Sequence, residues 1–150
     1  MGSTDYFERK LSEVERILNQ GNLVEASQLL QKLGSRRGSR RYAVRIARIW
    51  RYLHRPLNGM RLLQPEVYPP AAGRRRLVTE GREESRLEYA ALLVKAGAAR
   101  EGLRILEGIP FRKLPAKARQ IYLATVQLWL QERAIKHLIR FLSLSSIRPD

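Results

Sequence analysis

The sequence predicts an all-α fold, an α-α superhelix of about four helical hairpins stacked in series. Three observations carry the all-α class: apolar residues recur at helical spacing in eight segments, Gly or Pro punctuates the joints, and no stretch alternates with the period of two that a strand needs. The stacking in series rests on the repeat described below. The 150 residues are of single-domain size, and a hydrophobic content of 44% is enough for a packed core.

The elements follow in order. A first helix over about 5–20 carries Phe7, Leu11, Val14 and Leu18, with Asp5 and Glu8 spaced as a capping box and Gly21 ending it. Asn22 and Glu25 open a second helix, which holds Ala26, Leu29, Leu30 and Leu33 and stops at Gly34. Ser39, after Gly38, caps a third helix that ends by Arg55, because Pro56 disfavours helix in the residue before it. Pro56 suits the first turn of a short fourth helix that reaches Pro65. Residues 66–81, with Pro69, Pro70, Gly73, Arg74, Arg75, Arg76 and Gly81, read as a flexible basic loop. Helix five spans about 82–96, with Leu87, Ala90, Ala91 and Val94 on one face, and Glu83 and Glu84 favour its positive end. Helix six covers about 98–109. Pro115 starts helix seven, with Ala118, Ile121, Tyr122, Thr125, Leu128 and Trp129 on its apolar stripe, and helix eight follows over about 133–144.

Composition limits the function classes. The absence of cysteine removes disulfides, Cys-based metal sites and thiol nucleophiles. The two histidines, His54 and His137, fall in different hairpins, so no metal centre is expected, and no cofactor or catalytic site. Asp5 and Glu8 stand where a secretory signal would be basic and then apolar, and the longest apolar run, residues 89–94, is too short for a bilayer. A cytoplasmic location follows as the expectation. The net charge of +15, with 23 of 29 basic residues being Arg, draws polyanions to the surface.

A local pattern repeats. Gly21-Asn22-Leu23-Val24-Glu25-Ala26 precedes Leu30, and Gly97-Ala98-Ala99-Arg100-Glu101-Gly102 precedes Leu106; a weaker copy is His54, Gly59 and Leu63. From residue 21 to 54 is 33 positions, from 54 to 97 is 43, the excess being close to the length of the loop, and 34 more reach Gln131. Glycine allows the reversal, a tiny residue five positions on permits close helix packing, and the leucine fills the groove. This pattern resembles the tetratricopeptide repeat, over most of residues 5–145. The aromatic of the family's first helix is replaced by Lys10 and Arg86; Ala90 matches its small residue, where Val14 is larger. The resemblance implies a protein-binding adaptor or chaperone-like module, not an enzyme, with a curved groove for part of another protein.

Residues 26–65 hold ten basic residues and no acidic one. On a helical wheel of about 100° per residue, Arg41, Arg45, Arg48, Arg51 and Arg55 gather on one side of helix three, opposite Tyr42, Ala43, Ile46, Ile49, Trp50 and Leu53. Tyr52 lies within the arginine arc, where an aromatic ring can stack on a base or another planar group. A solvated helix face usually mixes signs, and this one repels itself, so an anion is expected to neutralise it. The residues singled out for anion or partner binding are Arg41, Arg45, Arg48, Arg51, Tyr52, Arg55, Arg74, Arg75 and Arg76. Two ligands stand open: an acidic segment of a partner protein, or a nucleic acid, RNA before duplex DNA.

Overall fold

Why the chain reverses three times in the same way is visible in its turns. The computed structural model describes residues 2–71, 74, 75, 77 and 82–146, and the side chains of 5–70, 77 and 82–143. Among them are seven α-helices: α1 (Gly2–Asn19), α2 (Leu23–Gly34), α3 (Ala43–Tyr52), α4 (Pro56–Val67), α5 (Glu83–Lys95), α6 (Ala99–Glu107) and α7 (Ala116–Ser146). The α1–α2, α3–α4 and α5–α6 hairpins all turn on a left-handed residue: Gly21 at φ 84°, His54 at φ 60° and Gly97 at φ 89°. In each, the left-handed residue donates its N–H three residues back (to Leu18, Arg51 and Val94), and the next residue donates five back (to Ile17, Trp50 and Leu93). That pair of bonds satisfies carbonyls that a helix end leaves bare. His54 thus does the work of a glycine in the middle hairpin.

The second helix of each hairpin then closes on the first through a small buried residue, Ala26, Gly59 or Gly102, with Leu30, Leu63 and Leu106 completely buried behind it. Asn22 caps α2 as expected, its side chain accepting from the Glu25 N–H at 3.3 Å. Successive hairpins pack on one another: α5 lies against α3, α4, α6 and α7. One apolar cluster joins α1, α2 and α3; the other centres on α5, and Leu62 touches both.

Several expectations are corrected. α1 begins at Gly2, so Asp5 sits inside its first turn and is not its cap. A 3₁₀ turn over Ser39–Tyr42 precedes α3, and the Ser39 hydroxyl donates to the Gly34 carbonyl at 3.0 Å instead of capping. α4 passes through Pro65 to Val67, since burial of Leu63 and Val67 outweighs the missing proline N–H. The segment expected to be a loop includes the end of α4 and a two-residue antiparallel ladder of β1 (Pro70–Ala71) with β2 (Arg74–Arg75); its residues 72, 73, 76 and 78–81 lie outside the described residues. Helices seven and eight are one 31-residue helix, because no Gly or Pro interrupts 116–146. Finally, α5 is not amphipathic. Ser85 to Val94 are all buried, as neighbours surround it.

Candidate anion-binding groove

α3 and α5 each open a hairpin, α7 follows the last hairpin, and α5 packs against both α3 and α7, leaving a groove of about 420 Å³ among the three. α3 and its turn contribute Arg48, Arg51, Tyr52 and His54 to the lining, and α5 contributes Ala91 and Lys95. α7 supplies Lys117 and Gln120 together with an apolar wall of Ile121, Ala124 and Leu128. Arg48 also borders a smaller cavity of about 70 Å³ shared with Glu84, Leu87, Glu88 and Lys117.

The floor is ionic. Glu88 is 1% exposed, and its Oε1 accepts from Arg51 Nε at 3.2 Å and lies 3.7 Å from Arg48 Nε. Burial, the strongest influence, pushes the Glu88 carboxyl above the usual carboxylate range, while Arg51 and then Arg48 pull it back. Three buried polar atoms here, Arg48 Nε, Arg51 Nη2 and Glu88 Oε2, make no hydrogen bond among the described residues. Two donors and one acceptor are thus left unpaired inside the contact, where buried polar atoms normally find partners. Four cationic side chains and His54 line this groove, with the buried Glu88 carboxyl against Arg48 and Arg51. Tyr52 stands 50% exposed at the rim with the Arg51 guanidinium 4.9 Å from its ring centre.

The arginine row expected along α3 is therefore only partly brought together, and the expectation that it stands uncompensated is corrected. Arg45 points away from the groove toward α1, where it donates to Glu15 at 2.9 Å and Glu8 at 2.7 Å. Those bonds, led by the one to Glu15, hold its guanidinium above its ordinary pKa. Arg48 and Arg51 share Glu88. The acidic partners come from α1 and α5, outside the acid-free stretch 26–65. Arg41 and Arg55 are exposed and pair with no carboxylate among the described residues, but neither lines this groove. Arg55 faces the other side, with Asn58 and Arg61. Of the loop cations, Arg76 lies outside the described residues, and only the backbone of Arg74 and Arg75 is described.

Lys95, Lys117, His54 and Glu88 were not among the residues singled out from sequence. A signal for Lys95 exists: it precedes Gly97 by two positions as Tyr52 precedes His54, so the repeat register puts both at the same end of parallel helices. Among the described residues, no three His, Cys, Asp or Glu side chains cluster as metal ligands, and no helix is long and apolar enough to cross a membrane. No family model, no curated protein and no solved structure matches the chain.

Proposed function

We propose that this chain is a tetratricopeptide-like binding module and not an enzyme, and that its groove between α3, α5 and α7 receives an acidic segment of a partner protein. One observation carries the reading: Arg48, Arg51, Lys95 and Lys117 converge from three helices on a single cleft that also has an apolar wall. Guanidinium groups bind carboxylates through paired hydrogen bonds, and the side chains of Arg48 and Arg51, 23% and 18% exposed, reach the cleft. The Ile121, Ala124 and Leu128 wall gives apolar side chains of such a segment a place that a phosphate backbone does not need. The three matching hairpin turns support the resemblance to stacked helical repeats, whose inner surface commonly serves as the binding face.

A nucleic-acid ligand competes through Tyr52, whose half-exposed ring is available for base stacking. Fluorescence anisotropy with a labelled Asp/Glu-rich peptide containing leucine, and with single-stranded RNA, at about 50 and 200 mM salt separates the two. The peptide is expected to bind more tightly, and Arg51→Glu with Lys117→Glu to weaken it by at least about tenfold, with Arg41→Glu as an inert control. Tighter RNA binding that falls steeply with salt and is lost in Tyr52→Ala would replace this reading with the nucleic-acid one.

A further inference from the structure

α7 is about 46 Å long at 1.5 Å per residue, far more than it needs to cover α5 and α6. The body claims one side of it, through Ala118, Tyr122, Thr125 and Val126, with Trp129 half-buried after them. Among the described residues the opposite side carries Leu123, Leu130, Ile135, Leu138, Ile139 and Leu142, each 52–61% exposed, and on a helical wheel all six fall within one half of the circumference. Between Leu123 and Leu142 that half carries no charged side chain. Arg133, Lys136 and Arg140 gather on the body's side instead, where Arg133 and Lys136 border the cleft toward α6.

We infer that a second copy of this chain covers this side of α7, the two helices pairing antiparallel about a two-fold axis. Six large apolar side chains at this exposure leave on the order of 100 Å² each in water, roughly 600 Å² in all, at the lower end of what one partner gives to a stable interface. Apolar patches of that size are often functional, and here Gln127 and Gln131 are the polar residues among them. The seam is self-complementary because its side chains are neutral, so two chains of net charge +15 bring no like charges face to face along it. Antiparallel pairing also sends the two basic bodies to opposite ends of the helix pair, beyond the screening length of about 8 Å at physiological salt. We place the two-fold axis at residue 132, which sets the large Leu130 of one copy opposite the small Ala134 of the other. The inference concerns a surface that adjoins the basic groove at Ala124 and Leu128 and does not depend on what the groove binds.

Sedimentation velocity at about 10 to 100 µM protein and about 150 mM salt tests it. The whole chain is expected to sediment at twice 17.4 kDa, and Ile135→Glu with Leu138→Glu to return it to the single-chain mass. Both side chains already face solvent in one chain, so far-ultraviolet circular dichroism should show the helices intact in that variant. Because the chain has no cysteine, Leu130→Cys mixed with Ala134→Cys gives a clean second readout: the mixture is expected to oxidise to a covalent dimer faster than either variant alone. A wild-type chain at 17.4 kDa throughout overturns the inference. So does a dimer indifferent to the glutamates, faster coupling of Leu130→Cys with itself, or a monomer that uses this face only to sediment with anionic phospholipid vesicles.

Discussion

Glu88 on α5 accepts from Arg51 on α3 at 3.2 Å although only 1% of the glutamate is exposed, so an ion pair is built into the contact between two neighbouring hairpins. Such a pair stabilises only where its attraction outweighs the cost of drying both charges. Here the carboxyl is held above its usual range, with burial the leading cause.

The sign of the consequence follows. A raised value means that the folded chain holds this proton more tightly than the unfolded chain does. The group's stabilising contribution is complete at pH below the ordinary carboxylate range and is lost as pH rises through the folded-state value. Thermal denaturation from about pH 4 to 8 should therefore show a wild-type component that declines with pH and is missing in Glu88→Gln. Parallel curves for the two proteins would refute it.

Two glycines hold the hairpins shut. A Cβ on Gly59 would stand 2.9 Å from Leu92 Cδ2 and 3.0 Å from the Ala47 carbonyl, and one on Gly102 would stand 2.8 Å from Val94 Cγ2 and 3.0 Å from the Ala90 carbonyl. Gly59→Ala and Gly102→Ala should each cost about 1–3 kcal/mol in urea denaturation, as overpacked sites do. Gly34 has open space around it, and Gly34→Ala should instead add up to about 0.5–1 kcal/mol by restraining the unfolded chain.

His54 occupies the left-handed region at φ 60° in a turn where its counterparts are glycines. His54→Gly should be neutral or stabilising by about 0.5–1 kcal/mol, whereas Gly97→His should destabilise by a similar amount. Equal losses from both substitutions would mean that the imidazole, and not the backbone, governs the turn.

Arg45 ties α3 to α1 through Glu8 and Glu15, whose side chains are 55% and 43% exposed. Solvent weakens such bonds, so Arg45→Gln should cost roughly 1 kcal/mol, and less at high salt. Hydrogen exchange should place most of the loosening in α1. A double-mutant cycle with Glu15→Gln measures the coupling directly, and additive losses would show that the bond contributes nothing.

How much of this was readable beforehand depends on the distance in sequence over which each feature is decided. Helices, and the reversals at Gly21, His54 and Gly97, arise from hydrogen bonds spanning three to five residues and from the sterics of single residues; they are written locally, and the residue spacing reveals them. So is the continuity of α7, since nothing between 116 and 146 breaks a helix, although a repeat of about 34 residues argued for a turn at Gln131. The arginine row was legible as a row. Its fate was not, because the carboxylates that meet it belong to helices on either side: Glu8 and Glu15 on α1, Glu88 on α5. A charge is neutralised through space by whatever packing brings near. The order of stacking decided which carboxylate met each guanidinium, and that Arg48 and Arg51, paired with Glu88, border a groove together with Lys95 and Lys117.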